Sequence, residues 1–379
     1  MMCQLFMRFK IANFRWVFFL AALCSLLDLK ARSQAPVVVT TNTTIRVMAA
    51  NLNGSVQSYQ PFALRIFQGL KPDIVAIQEF NYSNNTPSDF RSMVDTAFGT
   101  NFVYFRETGY SIPNGIISRY PFKSSGSWTD SDTGVNDRGF AWAQIDLPGT
   151  NDLYVVSVHL KAKNTSGPPS DTSRRAAEAN ELTSLIATNF PTNAWIIVAG
   201  DMNLFSEAEG AIITFKTYLS DSPVPADQSG NPNTNAGRDE RYDRVLPSFS
   251  FSSNGVASVI GSQTFANGLV FDSRGYSPLS EVAPIQMFDS TNAQHMAVLK
   301  DFRINYTVTN FVTVPSPTLV LNSTNILRWQ GLSNVTYSVQ ASTNLPTFST
   351  VGTAVSTTTN VSFTNQTGSA LRFFRVVYP

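Results

Sequence analysis

The chain has 379 residues, of which 43% are hydrophobic and 14% charged, and its formal net charge is +1. This composition is typical of a globular protein with more than one core, and it excludes a wholly disordered chain. Residues 36–309 carry 19 basic and 25 acidic residues, so strong binding of nucleic acid through surface charge alone is not indicated.

Residues 1–35 have the pattern of a secretory signal peptide. Three basic residues precede the apolar stretch 16–27, and small residues follow up to Ala35. The apolar stretch is shorter than the roughly 20 residues that a spanning helix needs. We therefore expect a secreted protein without a transmembrane anchor, with an uncleaved anchor as the alternative. Both cysteines, Cys3 and Cys24, lie in this segment, which excludes cysteine chemistry from the mature chain.

Strand-like and helical patterns then alternate up to about residue 309. The strand-like runs are Ile45–Ala49, Ile74–Ile77, Gly115–Ser118, Leu153–His159, Trp195–Ala199 and Tyr242–Leu246. The helical patterns lie near Phe62–Leu70, Ser88–Phe98, Arg174–Phe190 and Glu207–Leu219. The third helix is the clearest, because its apolar residues recur on one face and Pro191 ends it. Such alternation predicts a layered α/β sandwich.

Residues 310–379 have a different composition. They contain no acidic residue, three arginines and 22 serines and threonines. Short runs of alternating apolar and polar residues, such as those at 326–329, 337–340 and 373–377, predict a small all-β sandwich. We therefore predict three segments: a signal peptide at 1–35, a larger α/β domain at 36–309 and an all-β module at 310–379.

Several predicted strands end in acids, amides or a histidine. These residues are Asn51, Asn53, Glu79, His159, Asp201 and Asn203, and Asp243 lies near the start of the last strand-like run. A single polar residue at a strand end is most often a turn former. Ligands of open sheets gather at strand ends, however, so side chains delivered there by several strands can converge on one pocket. The only two histidines, His159 and His295, both lie in apolar strand-like contexts.

Together these residue types suit metal-assisted hydrolysis of a phosphoester. Oxygen ligands from Asn51, Glu79 and their neighbours favour a hard cation, Mg²⁺ first and Mn²⁺ or Ca²⁺ as alternatives. Asp201 can take a proton from the attacking water, and Asn203 can orient that water. A carboxylate such as Asp243 can hold His295 protonated and correctly oriented beside a phosphate oxygen.

The motifs that carry these residues resemble the endonuclease/exonuclease/phosphatase superfamily, with its DNase-I-like fold, over roughly residues 43–304. In chain order they read IRVMAANLN, PDIVAIQEF, NGIISRYP, NDRGFAW, VVSVHLK, VAGDMN, RYDRVLPS and NAQHMAVLKDF. The resemblance implies a four-layer α/β sandwich, a divalent cation and a phosphoester substrate.

The resemblance also implies a role for each matching residue. Asn51 and Glu79 fall at the metal ligands, and Asn53 falls where some members have an acid. Arg119 and Arg138 fall in segments that line the cleft, and His159 matches the histidine on the scissile phosphate. Asp201 and Asn203 match the pair that activates and orients water. Asp243 matches the acid that orients the final histidine, His295.

One position departs from the family pattern. The family usually has Ser-Asp-His before its last strand, whereas this chain has Ala293-Gln294-His295. Gln294 still offers an amide oxygen to the metal, but one negative charge is lost. Asp289 is near in sequence and is a candidate to replace that acid.

We expect a secreted phosphodiesterase that acts on nucleic acid. The first alternative is a lipid phosphodiesterase of the sphingomyelinase type, which would need an exposed apolar hairpin for membrane docking. The segment 256–270 has a hairpin pattern but no aromatic pair at a turn tip. The second alternative is a non-catalytic binding protein whose metal site has decayed. The all-β module is similar to modules at the ends of secreted bacterial enzymes, and we expect it to attach to a cell surface or matrix or to be a structural appendage.

Overall fold

The computed structural model describes residues 34–131, 137–163, 168–313, 320–321, 326–343, 347–364 and 373–377. The predicted leader therefore lies outside the described residues, apart from Gln34 and Ala35. Two compact units are present, one formed by Thr40–Tyr306 and the other by Met1–Val39 with Thr307–Pro379. No helix in the described ranges is long and apolar enough to cross a membrane.

The described residues form the following strands, in chain order: β1 (Gln34–Ala50), β2 (Ile74–Ile77), β3 (Val103–Arg106), β4 (Gly115–Ser118), β5 (Phe122–Trp128), β6 (Phe140–Ile145), β7 (Leu153–His159), β8 (Trp195–Asp201), β9 (Asp243–Pro247), β10 (Gly255–Val256), β11 (Ser258–Ile260), β12 (Gln263–Phe265), β13 (Leu269–Phe271), β14 (Ala297–Thr313), β15 (Val320–Leu321), β16 (Ile326–Gln330), β17 (Tyr337–Ser342), β18 (Ser349–Ala354), β19 (Asn360–Thr364) and β20 (Phe373–Val377). The helices are α1 (Pro61–Leu70), α2 (Pro87–Ala97), α3 (Asp171–Asn189), α4 (Gly210–Lys216), α5 (Phe249–Ser252) and α6 (Asp289–Asn292), with a 3₁₀ helix at Leu279–Val282.

The larger unit is built on two mixed sheets. The first has the order β10-β14-β1-β2-β4-β3, with β13 also paired to β14, and the second has the order β5-β6-β7-β8-β9. β1 and β2 are parallel, as are β7 and β8, whereas β9 is antiparallel to β8. The α/β class predicted from the alternating patterns is therefore confirmed.

Three apolar clusters hold these elements together. One cluster lies between the sheets and includes Val47, Val155 and Ile197. A second packs α1 and α2 on the outer face of the first sheet, and a third packs α3 and α4 on the outer face of the second sheet. Because alternate strand residues point to opposite faces, each inner strand contributes to two clusters.

Helix boundaries follow local chemistry. Pro61 starts α1, Thr86 and Asp89 form a capping box on α2, and the Ser170 hydroxyl accepts the Ser173 amide at the start of α3. Helix α4 is shorter than predicted and begins at Gly210. Glu209, the residue before the helix, has an extended backbone, and its carboxylate accepts the Phe205 N–H at 2.8 Å and binds Arg175.

The C-terminal residues form two small antiparallel sheets, β15-β16-β19 and β18-β17-β20. Leu327 and Trp329 of the first sheet share one apolar cluster with Tyr337 and Val339 of the second. The antiparallel β structure predicted for this segment is confirmed, including the three strands anticipated at 326–329, 337–340 and 373–377.

Candidate active site

The carboxyl ends of the parallel strands bring the predicted polar residues to one edge of the two sheets. Residues Ala50 and Ile77 pair at the ends of β1 and β2, and His159 pairs with Asp201 at the ends of β7 and β8. Strand β9 runs the other way and begins there, with Asp243 opposite Asp201. The two sheets are joined at this edge, because Asn51 Nδ2 donates a hydrogen bond to Asp201 Oδ2 at 3.1 Å.

The backbone at this edge needs unusual conformations. Gly200 has a φ of +140°, and a Cβ there would lie 2.1 Å from the Val158 carbonyl oxygen, so only glycine fits. Glu79 and Asn203 have φ values of 49° and 48°. Asparagine tolerates this left-handed region, whereas glutamate rarely adopts it, at a cost of roughly 1 kcal/mol or more. Such strain collects at functional sites and is consistent with a role for Glu79.

Asp201 lies at the centre of the group. Its Oδ1 accepts the backbone N–H of Asn203 at 2.9 Å, and the Asn203 side chain in turn donates to the Leu160 carbonyl at 2.9 Å. Burial raises the pKa of Asp201 to about 6, with His295 lowering it and the charge of Asp243 adding to the rise. A carboxylate with a pKa near neutrality can both accept and release a proton under ordinary conditions.

His295 is held by Asp243. Its Nδ1 donates to Asp243 Oδ2 at 2.9 Å and lies 3.6 Å from Asp201 Oδ2. Burial alone would lower the pKa of His295, but the carboxylates of Asp243 and Asp201 outweigh it and raise the pKa to about 9. The imidazole is therefore a cation at neutral pH. Thr234, which no sequence pattern indicated, donates its hydroxyl to Asp243 Oδ2 at 2.7 Å and fixes that carboxylate.

His159 has the opposite protonation state. Its Nε2 lies 3.4 Å from Asp201 Oδ2, and its Nδ1 is buried without a hydrogen-bond partner in the described part of the chain. Burial lowers the pKa of His159 well below its usual value, and the positive charges of Arg138 and His295 lower it further. The site thus contains one neutral and one protonated imidazole, both close to Asp201 Oδ2.

Oxygen atoms suited to a hard cation are grouped beside Asp201. Asn53 Nδ2 donates to the Glu79 backbone carbonyl at 2.7 Å, and Gln294 donates its backbone N–H to the Asn53 carbonyl at 2.7 Å. The side-chain oxygens of Asn51 and Asn53 are buried and have no partner among the described residues. Buried polar atoms normally have a partner. These unsatisfied oxygens and the Glu79 carboxylate fit a divalent cation with oxygen ligands.

A second set of potential ligand atoms lies within the same group. Atoms of Asp201, Asp243 and His295 all lie within 4.8 Å of one another, and all three residues are buried. This cluster is a possible metal site. The His295–Asp243 hydrogen bond occupies the imidazole Nδ1 that would otherwise be a ligand.

The two predicted arginines lie in different places. Arg138 is buried, and its Nη2 donates to the Leu160 carbonyl at 3.4 Å, beside the Asn203 side chain. Arg119 does not join the group. It is exposed and binds Asp73 at 3.1 Å, at the amino end of β2, because β4 is antiparallel to β2 and carries Arg119 to the opposite edge.

Gln294, which departs from the family pattern, and the nearby Asp289 both form hydrogen bonds within the protein. Gln294 Nε2 donates to the Gly54 carbonyl at 2.9 Å, which ties the loop before β14 to the loop after β1. Asp289, the candidate replacement acid, accepts two hydrogen bonds from Arg65 at 2.5 and 3.0 Å. That carboxylate is therefore neutralised by an arginine of α1.

An aromatic pair adjoins the site. The rings of Phe205 and Tyr242 have centroids 5.1 Å apart, and Tyr242 lies 5.5 Å from the His295 ring. Both rings are partly exposed, and neither belongs to the three apolar clusters of the larger unit. No sequence pattern indicated this pair, although each residue lies within two positions of a motif residue.

The sequence matches a known protein family. The model of the Endonuclease/Exonuclease/phosphatase family matches residues 48–263, which is more than half of the chain. No curated protein matches the sequence. Among solved structures, a functionally unknown conserved protein from Enterococcus faecalis V583 is similar with a TM-score of 0.48 and 10% identity, covering 70% of this chain and 100% of that one.

Two further solved structures are similar at the same level. An endonuclease/exonuclease/phosphatase from Beutenbergia cavernae DSM 12333 has a TM-score of 0.46 and 12% identity, covering 88% of this chain and 100% of that one. The human Nocturnin catalytic domain has a TM-score of 0.46 and 14% identity, covering 73% of this chain and 98% of that one. With the matched family model and the buried Asp201, Asp243 and His295 cluster, the chain belongs to the endonuclease/exonuclease/phosphatase family of phosphoesterases.

Proposed function

We propose that the protein is a secreted, divalent-metal-dependent phosphodiesterase that hydrolyses nucleic acid. The observation that carries this proposal is the meeting of Asp201, His295 and the oxygen atoms around Glu79 at one edge of the two sheets. In this proposal residues 36–309 form the four-layer DNase-I-like sandwich. Residues 310–379 form a separate β-sandwich module that attaches the enzyme to a surface or matrix. Secretion is supported by the leader pattern at 1–35.

Asn51, Glu79 and Gln294 would hold the cation, with Mg²⁺ the first choice. Once bound, a divalent cation polarises a phosphoryl oxygen and stabilises charge that develops on the leaving group. The free Oδ1 of Asn51 supports this ligand set. Asn51 also donates to Asp201, so the same side chain links the metal ligands to the general base.

The protein side chains would divide the remaining work. Asp201, with its pKa raised to about 6, takes the proton of the attacking water, and Asn203 orients that water. Protonated His295, held by Asp243, donates a hydrogen bond to a non-bridging phosphate oxygen. Neutral His159, whose Nε2 lies 3.4 Å from Asp201 Oδ2, contacts the same phosphate group.

The aromatic pair favours nucleic acid over a lipid head group. Stacking of a base on an aromatic side chain contributes about 1–3 kcal/mol. Lys163 lies 4.7 Å from the centre of the Phe205 ring and adds a positive charge that attracts a polyanion and repels a quaternary amine. Phe205 and Tyr242 would therefore hold a base next to the scissile phosphate.

The hairpin that a membrane-docking lipid hydrolase would use has a polar tip. The turn between β11 and β12 consists of Gly261 and Ser262, and Ser262 gives its N–H and hydroxyl to Glu281 at 2.9 and 2.5 Å. The hairpin is thus tied to the protein body by hydrogen bonds. This arrangement offers no apolar tip for insertion into a bilayer.

A substrate panel tests the proposal. The full chain is assayed with Mg²⁺ on single-stranded and duplex DNA, RNA, sphingomyelin vesicles and inositol phosphates. We expect hydrolysis of nucleic acid, and Phe205→Leu with Tyr242→Leu should raise KM for it several-fold. Preferential hydrolysis of sphingomyelin would support the lipid alternative. Absence of any hydrolysis, with no Mg²⁺ or Mn²⁺ uptake in calorimetry, would support a decayed site.

A further inference from the structure

A buried lysine on β14 points between the two sheets. Alternate residues of this strand, Val298, Phe302 and Ile304, belong to the cluster between the sheets, and Lys300 has the same parity. Only 6% of Lys300 is exposed, and in the described part of the chain its ammonium group forms no hydrogen bond or ion pair. An unpaired buried ammonium group is costly and therefore requires a physical explanation.

The carboxylate that attracts Lys300 and the one that lines its cavity are both already bound by arginines. Asp221, which attracts the ammonium group, accepts hydrogen bonds from Arg241 and Arg244, each at 2.6 Å. Asp301 is held by Arg46 at 2.9 and 2.8 Å. Burial, partly offset by Asp221, lowers the pKa of Lys300 to about 8, so the ammonium group is still mainly charged at neutral pH.

Lys300 lines a cavity of about 90 Å³. A cavity needs only roughly 10–15 Å³ to hold a water molecule, so this one has room for several waters or one small ion. The polar residues Ser222, Ser252 and Asn267 also line it, and the Ser252 hydroxyl donates to the Phe249 carbonyl at 3.1 Å. The Asn267 side chain has no hydrogen bond to any other described residue.

The cavity lies away from the candidate active site. Its wall includes Pro247, at the carboxyl end of β9, whereas Asp243 begins that strand at the active site. Four residues of extended strand span about 13 Å. None of the residues that line the cavity contributes to the proposed catalysis.

We propose that this cavity is a binding site for a small tetrahedral oxyanion, phosphate or sulfate, which forms an ion pair with Lys300. The uncompensated ammonium group selects an anion, and the volume limits its size. The surrounding hydroxyl and carboxamide groups favour an ion with several acceptor oxygens over a halide or a monocarboxylate. This inference does not depend on the proposed hydrolytic activity.

The test titrates inorganic phosphate, sulfate and acetate separately into the full chain by calorimetry, without divalent cations. Three variants are compared with the wild type: Lys300→Met, the exposed-lysine control Lys123→Met, and Asp201→Asn in the active site. We expect phosphate and sulfate to bind more tightly than acetate. Lys300→Met should weaken phosphate binding at least tenfold, whereas the other two variants should retain wild-type affinity.

Thermal unfolding provides a second measurement. Phosphate should raise the Tm of the wild type through linkage but not that of Lys300→Met. Lys300→Met should have a Tm equal to or above the wild type without phosphate, because methionine removes an unpaired charge at similar volume. Lys300→Gln serves as the second variant if Lys300→Met does not fold. Equal phosphate affinity in the wild type and the foldable Lys300 variant, or loss of binding only in Asp201→Asn, would overturn the proposal.

Discussion

The two histidines of the site show how neighbouring charges set the chemistry of identical side chains. His295 contacts Asp243 and lies near Asp201, so its pKa rises to about 9 despite burial. His159 is equally buried but lies near Arg138 and His295, so its pKa falls well below the usual value. Asp201 lies between a cationic and a neutral imidazole, which is the environment that a proton acceptor beside an anionic substrate requires.

The first prediction concerns the residues that would act on the substrate. Asp201→Asn removes the base, and His295→Ala removes the cationic donor, so each should lower kcat on nucleic acid by about 10²–10⁴-fold. The measurement is steady-state hydrolysis with Mg²⁺. Arg119→Ala is the matched control, because Arg119 lies at the opposite edge of the sheet. Wild-type rates in either active-site variant would contradict the assigned roles.

The second prediction concerns the departure at Gln294. Replacing it by aspartate adds a negative charge beside the loop that carries Asn51 and Asn53. Gln294→Asp should therefore tighten Mg²⁺ binding in calorimetry by about tenfold, since hard cations prefer carboxylates. Asn101→Asp, on an exposed turn before β3, is the control for net charge. An unchanged Mg²⁺ affinity in Gln294→Asp would show that this position is not a ligand.

At the level of single residues, the sequence predicts the position of side chains that follow buried parallel strands. Residues after buried strands, such as Glu79 and His159, could be placed at one edge because parallel strands end together. The wrong placement of Arg119 arose because the antiparallel direction of β4 cannot be read from its own residues. Thr234 lies in an Asn-rich loop without periodicity, so no local pattern indicated its contact with Asp243.

At the element scale, charged side chains of helix α3 connect the loop after β7 with the loop after β8, which carries Asn203. Arg175 donates to the Lys161 carbonyl at 2.9 Å and to Glu209 at 2.8 Å, and Glu209 accepts the Phe205 N–H at 2.8 Å. Glu178 accepts the Lys161 N–H. The loop after β7 and the loop after β8 are therefore fixed to the same helix, which holds Asn203 beside the Leu160 carbonyl.

The third prediction follows from this connection. Arg175→Lys keeps the charge but cannot reach both loops, so kcat should fall about 10- to 100-fold through misplacement of the catalytic groups. The Mg²⁺ affinity should stay within about twofold, because the ligands Asn51 and Glu79 lie on other loops. Arg174→Lys, the neighbouring residue, is the control. Equal losses of kcat and Mg²⁺ affinity would indicate general disruption of the fold.

The fourth prediction concerns the ion pairs between the loop after β8 and strand β9. Burial alone would raise the pKa of Glu207, but hydrogen bonds from Arg244 and Lys216 and their charges lower it to about 2. Because the pKa of Glu207 is lower in the folded state than in the unfolded chain, its ionisation stabilises the folded state at pH values above the pKa of the unfolded chain. This stabilisation is lost as the pH falls through about 2. Since Glu207 is 54% exposed, the contribution is at most about 1 kcal/mol.

The measurement is urea unfolding of the wild type and Glu207→Gln. The wild type should be more stable at pH 7, and the difference should shrink as pH falls from 4.5 towards 2. A difference in the free energy of unfolding that is the same at both ends of this range would rule out Glu207 as its source.

The elements themselves were predicted unevenly. Helices α1, α2 and α3 and strands β1, β2, β4, β7, β8 and β9 were predicted because their apolar residues repeat at helical or strand spacing, whereas the buried strands β6 and β13 were missed. Strand β5, with the sequence FKSSGSW, was missed because it is a largely exposed edge strand with little apolar alternation. Helix α4 was predicted too long because the apolar spacing of residues 207–219 does not show that Glu209 has an extended backbone.

At the scale of the whole molecule, the structure contains two compact units with separate apolar clusters. The change in composition near residue 310 predicts a domain boundary there, because a segment without acids and rich in serine and threonine favours short strands over helices. The order of the strands within each sheet could not be predicted from the sequence, because strand pairing depends on contacts between distant residues.

The fifth prediction is that the larger unit is sufficient for catalysis. All the residues of the candidate site lie within Thr40–Tyr306. A chain restricted to that range should unfold cooperatively and retain kcat on nucleic acid within about threefold, since it keeps all three apolar clusters. Circular dichroism and the same hydrolysis assay check it. A folded but inactive fragment would show that the remaining residues contribute to the reaction.

The most direct test of the central claim is the rate at which the full chain hydrolyses a labelled single-stranded oligonucleotide before chelation, after chelation, and after Mg²⁺ is restored. We predict hydrolysis with Mg²⁺, a fall in its rate of at least 10²-fold after chelation, and recovery of the rate when Mg²⁺ returns. The Asp201→Asn variant should be inactive throughout. Hydrolysis that persists without divalent cations, or that Asp201→Asn retains, would contradict this claim.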